Sequence, residues 1–461
     1  MGCDYPPPFA PHDDATAWLF SLNRFGIRPG LTRIEGLLSD LDHPERAVRS
    51  LVVAGTNGKG STTRLLAGLL QAAGYRVATY TSPHLLRVYE RIQVDGVPVD
   101  PADFAARVLA VRPLVERRGA SWFEALTALA VAIARDADVD FLCCETGLGG
   151  RLDATNALPA VATLLTSVGL DHQQILGTTR EAIAAEKLGL LKRGTPFFCA
   201  VDAELRPQAF RAAVAAGAPA HFLDELAAWD AAPGPWELVM RERRLRELPD
   251  PGAPVLRRNA ALALLTLAEL ERRGELRLPA DPAAALRGVL LPGRHQLVLR
   301  EPDWIFDTAH NGEALEAALG AFLSRPARGR RLVLFGSMRD KELPERVGEL
   351  LGRCDGVLAA PVSLPRSRSD EELARLFAGW GLAADAAVAL RGVRADAGRA
   401  LGELAAHLQP DDTVLVTGSC FLVGEVLYRL GYATLEETHP PQAAAPVLAR
   451  LAAGRPAAGA A

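Results

Sequence analysis

The chain has 461 residues, 49% of them hydrophobic and 23% charged, which is typical of a globular protein with a large core. Lys and Arg total 51 against 55 Asp and Glu, so the net charge of −4 argues against a broad nucleic-acid-binding surface, and no apolar run is long enough to span a membrane. Six cysteines without a C-x-x-C pair, and an N-terminus without an apolar secretion signal, predict a cytoplasmic protein with reduced thiols rather than a disulfide framework or a zinc site. No coiled-coil pattern is present, so we expect a monomer.

Strands and helices are predicted to alternate along the first part of the chain, after a Pro-rich start. The predicted strands are residues 51–54, 77–81, 139–145, 161–167 and 196–201, and the predicted helices are residues 15–25, 61–73, 101–118, 121–135 and 178–191. The third strand is almost continuously apolar, as expected when helices cover both faces of a sheet. The sequence therefore predicts an α/β fold with a doubly wound, mostly parallel sheet.

A second α/β series is predicted after the L-P-G-R segment at residues 291–294, which resembles a linker. Its predicted strands are residues 304–306, 332–335, 356–359 and 413–417, and a helix at 258–273 precedes the linker. We expect an N-terminal domain at residues 1–292, a smaller C-terminal α/β domain at 293–438, and a loosely ordered tail at 439–461 that is rich in Pro, Ala and Gly.

A glycine-rich turn, G-T-N-G-K-G-S at residues 55–61, follows the first strand and opens a helix; we call it the phosphate loop. Backbone N–H groups in such a turn bind phosphate, Lys59 can reach the outer phosphates, and Ser61 can offer its hydroxyl to Mg²⁺. The strict motif G-x-x-x-x-G-K-S/T is not met, because Val53 and Gly60 stand where Gly and Ser or Thr are usual. Lys59 is one of four lysines in the chain, which favours a function over the alternative, a turn with one exposed lysine.

Polar side chains follow the next three predicted strands: Ser82, Glu145 and His172. Because the carboxyl ends of parallel strands meet at one edge of a sheet, we expect these side chains to lie near the phosphate loop. A carboxylate and a hydroxyl beside a triphosphate suit Mg²⁺, and the unusual histidine suggests that Mn²⁺ can substitute. Each residue also has a structural interpretation: a surface charge for Glu145, a turn for Ser82 and a helix cap for His172.

The phosphate loop and seven further segments resemble the folylpolyglutamate synthase / dihydrofolate synthase branch of the Mur ligase superfamily, whose members are ATP-dependent amide-forming enzymes. The segments, in chain order, are T-S-P-H-L (81–85), G-L-G-G-R-L-D-A-T-N (147–156), G-L-D-H (169–172), E-K-L-G (186–189), L-P-G-R (291–294), A-H-N (309–311) and M-R-D-K (338–341). The resemblance extends from about residue 20 to about residue 430.

This resemblance implies specific roles for the matching residues. The ATP-binding residues would be Gly55, Thr56, Asn57, Gly58, Lys59, Gly60, Ser61, Asn259, Arg294, Asp307 and His310. Asn259 and Asp307 would contact the nucleoside, and Arg294 and His310 the phosphates, although interdomain packing or helix capping are alternatives for the last two. The metal ligands would be Ser82, Glu145 and His172, and the catalytic residues Lys59, Lys187 and His172.

Two further roles follow from the resemblance. Lys187 would be carbamylated by CO₂ and would help to hold a second metal ion, a reaction that needs a neutral amine and that arginine cannot undergo. Gly30, Arg33 and Phe123 would contact the folate, although an aromatic residue on an amphipathic helix usually belongs to the core. Lys192 is expected to pair with the end of the Lys187 helix. Arg151 is expected to stabilise the glycine-rich turn through Asp153, with contact to a substrate carboxylate as the alternative.

The function implied is a ligase that joins L-glutamate to the carboxylate of a folate or dihydropteroate through an acyl phosphate, with ATP as co-substrate. It would act as a folylpolyglutamate synthase, with or without dihydrofolate synthase activity. One alternative is a Mur-type ligase that adds an amino acid to a cell-wall nucleotide. Another is a nucleotide-binding switch without ligase activity.

Overall fold

The computed structural model describes residues 13–22, 29–230, 232, 234–241, 243–383 and 390–452. These residues form two compact units. Unit 1 comprises the described parts of residues 13–84 and 89–289, and unit 2 comprises 85–88 and the described parts of 290–452. The main division of the chain thus lies close to the predicted domain boundary after residue 292.

Unit 1 is built on an eight-stranded sheet. Its strands are β1 (Arg49–Ala54), β2 (Val77–Tyr80), β3 (Ile92–Val94), β4 (Val97–Pro98), β5 (Phe141–Glu145), β6 (Ala160–Leu165), β7 (Phe197–Cys199) and β8 (Ala220–Phe222). Their order in the sheet is β4-β3-β2-β5-β1-β6-β7-β8. The pairs β4–β3 and β3–β2 are antiparallel, and all the other neighbouring pairs are parallel. β5 is buried at every position, as expected for a central strand between helix layers. The predicted mostly parallel sheet is confirmed.

Helices of unit 1 begin and end where the sequence offers caps. They are α1 (Asp14–Ser21), α2 (Thr32–Asp40), α3 (Lys59–Ala72), α4 (Pro101–Arg118), α5 (Trp122–Asp136), α6 (Gln173–Leu176), α7 (Arg180–Leu188), α8 (Arg206–Ala216), α9 (Leu223–Leu226), α10 (Pro254–Arg272) and α11 (Pro282–Arg287). α4 starts at a proline behind the N-cap Asp100 and ends at Gly119 in the left-handed conformation. The helix predicted at 178–191 is shorter, because Thr179 caps its start and it ends at Leu188.

A three-stranded antiparallel sheet of unit 1 was not predicted. It consists of β9 (Ala227–Trp229), β10 (Trp236–Met240) and β11 (Arg243–Leu248), in the order β11-β10-β9. Five of the six residues of β11 lie outside the core, so its sequence carries little of the alternation that identifies a strand.

Unit 2 contains a seven-stranded sheet in the order β16-β15-β14-β17-β13-β12-β18. The strands are β12 (Gln296–Arg300), β13 (Asp303–Phe306), β14 (Arg331–Phe335), β15 (Gly356–Ala359), β16 (Arg391–Val393), β17 (Thr413–Thr417) and β18 (Gln442–Ala443). The helices are α12 (Gly312–Ser324), α13 (Glu345–Gly352), α14 (Asp370–Gly379), α15 (Ala397–His407), α16 (Cys420–Leu430) and α17 (Ala444–Ala452). β12 and β13 are antiparallel, and the other pairs are parallel.

The prediction of a loose tail from residue 439 is wrong for residues 442–452, which form β18 and α17. α17 packs against α15 and α16, and it buries Ala444 and Val447 fully. The rest of the predicted tail, residues 453–461, lies outside the described part of the chain. Tertiary burial therefore orders a segment whose composition alone suggested none.

Two expectations from composition can be compared with the described residues. None of the helices there is both long enough and apolar enough to cross a bilayer. The described cysteines are buried and form no disulfide bond with one another: Cys143, Cys144, Cys199, Cys354 and Cys420. Burial raises the pKa of the Cys143 thiol above its usual value, as expected for a packing residue.

Candidate active site

The phosphate loop joins β1 to α3, and two of its glycines are required by close neighbours. Gly58 has a φ of 87°, and a Cβ at this position would lie 2.6 Å from Oδ1 of Asn259. A Cβ at Gly60 would lie 3.0 Å from Oε2 of Glu145. The departure of Gly60 from the strict motif thus has a physical reason, since any side chain there would crowd a buried carboxylate.

The segment after β6 holds the phosphate loop in place. Backbone N–H groups of Thr56 and Asn57 donate to the carbonyl and hydroxyl oxygens of Ser167, at 2.9 and 3.0 Å. The hydroxyl of Thr166 donates to the carbonyl of Asn57 at 2.6 Å, and the amide of Gly169 donates to the Thr56 hydroxyl at 3.0 Å. Sequence analysis did not identify Thr166 and Ser167. A signal was available, because they are the last two residues of the strand predicted at 161–167; the observed strand ends at Leu165, so both lie at the edge of the sheet.

Glu145 connects two of the other predicted site residues. Its carboxylate is 3% exposed, accepts a hydrogen bond from the Ser82 backbone N–H at 2.8 Å, and lies 3.9 Å from Nζ of Lys59. Lys59 also donates to the carbonyl of Thr56 at 3.1 Å. The structure therefore brings Lys59, Ser82 and Glu145 together at one edge of the sheet, and a surface role for Glu145 is wrong.

Two buried hydroxyls lie in the first turn of α3. In the part of the chain that the structure describes, Ser61 Oγ and Thr62 Oγ1 have no hydrogen-bond partner. Buried polar atoms are nearly always satisfied in folded proteins, so such atoms at a helix N-terminus are suited to a ligand. This supports Ser61 as a residue that contacts phosphate or a cation.

His172 follows β6 on the segment that Gly169 ties to the phosphate loop. It adopts a left-handed conformation with φ 53° just before α6, and its backbone N–H donates to Oδ1 of Asp171 at 2.8 Å. His172 occupies the N-cap position of α6, but its side chain makes no capping hydrogen bond there. Nε2 of His172 lies 3.9 Å from Oδ2 of Asp171, a neighbour that the sequence analysis did not single out.

The residues present fit a divalent cation that is shared with a phosphate ligand. No group of three or more His, Cys, Asp or Glu side chains suited to a metal occurs among the described residues. The predicted set contributes a carboxylate, an imidazole and a hydroxyl, so phosphate and water oxygens would complete the coordination. That arrangement is usual for Mg²⁺, which keeps several waters and binds through substrate phosphates.

Lys187 lies in α7 and is buried against the phosphate loop. Its Nζ is 2.8 Å from the carbonyl oxygen of Gly55, to which it donates, and the residue is 5% exposed. The pKa of Lys187 falls from its usual 10.5 to about 7, mainly because of burial and also because of the Lys59 cation, while the carboxylates of Asp171 and Asp153 oppose the shift. A substantial fraction of the Lys187 side chain is therefore a neutral amine near pH 7.

Two of the residues predicted to contact folate, Arg33 and Phe123, lie near the N-terminus of α5. Phe123 is partly exposed and packs on Gly147, where a Cβ would lie 2.5 Å from the ring, and its centroid is 5.6 Å from that of Tyr80. Arg33 donates from Nε to Oε2 of Glu124 at 3.2 Å. Gly30 has a φ of 129°, and a Cβ there would have no neighbour within 4 Å.

Two expectations about structural contacts are wrong. Arg151 does not pair with Asp153 but with Glu186, at 2.8 Å. Asp153 instead accepts hydrogen bonds from the backbone and hydroxyl of Thr155, and from a second backbone amide in the glycine-rich turn. Lys192 lies beyond the end of α7 and donates to the carbonyl oxygens of residues 156 and 158.

In unit 2, the predicted nucleotide residues surround the end of β13. The Asp307 carboxylate accepts from the backbone N–H groups of Ala309 and His295, each at 2.8 Å, so it fixes the turn that carries Arg294. Nδ1 of His310 is 2.9 Å from the carbonyl of Thr308. Asn311, not His310, caps α12. The ligand roles of Asn259, Arg294, Asp307 and His310 stay predictions.

Proteins of known function are similar to this chain over most of its length. A Bacillus subtilis (strain 168) protein named dihydrofolate synthase/folylpolyglutamate synthase is 32% identical over 444 residues, which cover 92% of this chain and 100% of that protein. This chain belongs to the folylpolyglutamate synthase/dihydrofolate synthase family. The sequence-based identification is thereby confirmed, and the chain is an ATP-dependent ligase of this family.

Further comparisons agree with membership of the folylpolyglutamate synthase/dihydrofolate synthase family. Residues 293–420 match the family described as Mur ligase, glutamate ligase domain. A solved structure of Escherichia coli FolC in complex with DHPP and ADP has a TM-score of 0.78 and 30% identity, covering 92% of this chain and 98% of that one. The Yersinia pestis bifunctional enzyme with AMPPNP and Mn ion has a TM-score of 0.79 and 30% identity, with the same coverage.

Proposed function

We propose that this enzyme uses ATP to join L-glutamate to the carboxylate of a folate or dihydropteroate acceptor. A carboxylate oxygen of the acceptor attacks the γ-phosphorus of ATP, ADP leaves, and an acyl phosphate forms. The amino group of L-glutamate then attacks the acyl carbon, loses a proton, and phosphate leaves as the amide bond forms. The observation that carries the proposal is the phosphate loop with Lys59 held beside the buried carboxylate of Glu145.

Each residue of the phosphate loop has a task that its geometry supports. Backbone N–H groups of the loop and of the first turn of α3 bind the phosphates, and the Ser61 hydroxyl is available to them. Lys59, already 3.9 Å from a carboxylate oxygen, supplies a mobile cation to the phosphoryl group in transfer. Preorganised cations of this kind stabilise charge that builds up in the transition state.

Ser82, Glu145 and His172 would hold Mg²⁺, with Mn²⁺ as a substitute. The cation supplies charge neutralisation at the phosphates. Support comes from the Mn ion of the Yersinia pestis relative and from the buried Glu145 carboxylate beside Ser82. L-Glutamate as the substrate that supplies the amine is supported by the match of residues 293–420 to a glutamate ligase domain. We also infer a monomer in a reducing, cytoplasmic environment; the buried cysteines, which form no disulfide bond with one another, support the reducing environment.

The decisive experiment measures ADP release with and without each second substrate. ADP release is expected to require both a pteroate-type acceptor and L-glutamate, and mass spectrometry should show the glutamylated acceptor. Hydrolysis that is indifferent to both would favour a nucleotide switch, and turnover with a cell-wall nucleotide instead would favour a Mur-type ligase. Dihydropteroate and reduced folates offered in competition would identify the preferred acceptor.

The Lys59→Ala variant tests the phosphate loop directly. Removal of the cation is expected to lower glutamate-dependent ADP release by at least about 100-fold, the usual cost of losing a preorganised charge in a phosphoryl-transfer site. Lys192→Arg, which keeps a donor at a lysine outside the loop, is the matched control and should retain activity. Near-normal turnover of Lys59→Ala would contradict the assigned role.

A further inference from the structure

The segment that carries Ser82 is fixed from two sides within unit 1. On one side, the Ser82 backbone N–H donates to Oε2 of Glu145 at 2.8 Å. On the other side lies Arg91, the residue that directly precedes β3. Both residues that flank the Ser82-Pro83 pair, Thr81 and His84, are buried. The Ser82 side chain thus stands on a short loop whose two ends are anchored.

Arg91 anchors both ends of this loop, at Thr81 and at His84. Its carbonyl oxygen accepts a hydrogen bond from the Thr81 backbone N–H at 2.9 Å. Its guanidinium Nε donates to Nδ1 of His84 at 3.0 Å, which makes Nδ1 the acceptor and places the ring proton of a neutral imidazole on Nε2. One residue therefore clamps the loop by its backbone before Ser82 and by its side chain after it.

Arg91 is buried to a degree that is unusual for an arginine. The residue is 1% exposed, and its guanidinium carbon lies 4.3 Å from the centroid of the Trp122 ring. Removing a cation from water is costly unless directed contacts compensate, and arginine offers planar stacking together with directed N–H groups that lysine does not. Arg91 makes both kinds of contact: it stacks on Trp122 at the start of α5, and its Nε is directed at His84 of the Ser82 loop.

We propose that Arg91 is a positioning residue for the divalent cation, acting through Thr81 and His84 to hold Ser82 beside Glu145. The inference rests on the proposed function, in which Ser82 and Glu145 hold the cation. Outer residues that orient metal ligands typically contribute 10–100-fold to metal affinity. Arg91 itself touches neither the substrates nor the cation in this assignment.

The test measures metal binding without turnover. Binding of Mn²⁺ in the presence of saturating AMPPNP is followed by the electron paramagnetic resonance signal of free Mn²⁺, for the wild type, Arg91→Lys and His84→Ala. Both variants are expected to bind Mn²⁺ about tenfold more weakly, while ADP affinity without metal is unchanged. Thermal unfolding checks that each variant is folded. His84→Ala leaves the guanidinium stacked on Trp122, so it remains informative if Arg91→Lys does not fold.

Arg257→Lys is the matched control, because Arg257 is another buried arginine of unit 1 and donates to backbone carbonyls around residues 230–234. Its Mn²⁺ affinity should equal that of the wild type even if its stability falls. Mn²⁺ affinity within twofold of wild type in folded Arg91→Lys and His84→Ala would overturn the inference, as would a rise only in KM for the acceptor. A wild-type enzyme that fails to bind Mn²⁺ with AMPPNP would instead overturn the proposed function.

Discussion

Lys187 is the residue whose environment departs furthest from that of an ordinary lysine. Burial removes its ammonium group from water, Lys59 adds a like charge nearby, and the pKa falls to about 7. Its hydrogen bond to the carbonyl of Gly55 can be donated equally well by a neutral amine or by a carbamate nitrogen. These conditions favour reaction with CO₂, in which the amine lone pair attacks the carbon and a proton leaves.

We predict that Lys187 is carbamylated in the active enzyme. Only the neutral amine reacts, and the lowered pKa makes that form abundant above about pH 7, so modification at a fixed CO₂ concentration should decline as the pH falls below 7. Isotopically labelled CO₂ and carbon NMR should show one carbamate resonance that is absent from Lys187→Ala. Acetate or formate should partly restore activity to Lys187→Ala, since a short carboxylate can replace the carbamate anion.

Lys192→Ala is the control for that experiment, because Lys192 is also a largely buried lysine of unit 1 but donates to backbone carbonyls away from the phosphate loop. The labelled resonance should persist in this variant. An unmodified Lys187 in fully active enzyme would contradict the prediction.

Residues that hold the phosphate loop were harder to predict than residues that follow a motif. Ser167 and Thr166 hold the loop through bonds to backbone atoms 109 to 110 positions away. Their sequence signal is only a pair of hydroxyls after a strand, a pattern that many turns share. Asp171 affects Lys187 through space, and a single sequence does not show which loop a carboxylate will face.

At the scale of elements, α5 shows how a local signal positions a functional side chain. Ser121 Oγ accepts from the Glu124 backbone at 3.3 Å, and Glu124 Oε2 accepts from the Ser121 backbone at 2.7 Å, which completes a capping box. The same carboxylate oxygen accepts from Arg33. Phe123 lies within this cap, so the start of α5 fixes its ring above Gly147.

We predict that Ser121→Ala both destabilises the protein and weakens acceptor binding. Loss of an N-cap typically lowers the free energy of unfolding by about 1 kcal/mol. If Phe123 contacts the acceptor, fraying of the first turn of α5 should also raise KM for the acceptor and leave KM for ATP unchanged. Urea unfolding and steady-state kinetics measure the two effects.

Ser369→Ala is the matched control, because Ser369 forms an equivalent capping box with Glu372 at the start of α14 in unit 2. It should lower stability by a similar amount and leave KM for the acceptor unchanged. An equal rise in KM in both variants would show that the effect is a general loss of stability, and would remove the argument for Phe123.

The elements that could be predicted are those with strong local signals. The bounds of α4, β15 and β17 were predicted as observed, because a proline start, a glycine end or an unbroken apolar run marks each of them. β9 and β16 have three residues each, too few for a periodic pattern. α17 depends on packing with two other helices, which composition does not reveal.

At the scale of the whole molecule, each unit has its own parallel sheet, and the predicted nucleotide residues are divided between the units. Lys59 and Asn259 belong to unit 1, whereas Arg294 and His310 belong to unit 2. Motif order along the chain was sufficient to predict the family and both α/β series. The contacts of Arg294 with a ligand were not predictable in the same way, because they depend on what binds.

Nucleotide binding, measured without catalysis, tests whether Arg294 of unit 2 contributes to the nucleotide site. A ligand that binds only the folded protein stabilises it by about 2.7 kcal/mol at a concentration 100 times its Kd, so AMPPNP with Mg²⁺ should raise the Tm of the wild type. If Arg294 contacts the phosphates, Arg294→Ala should show a smaller rise at the same nucleotide concentration. Arg300→Ala removes an exposed arginine at the end of β12 and should keep the full rise. A full rise in Arg294→Ala would exclude Arg294 from the nucleotide site, whereas a loss in both variants would point to a general effect of charge in unit 2.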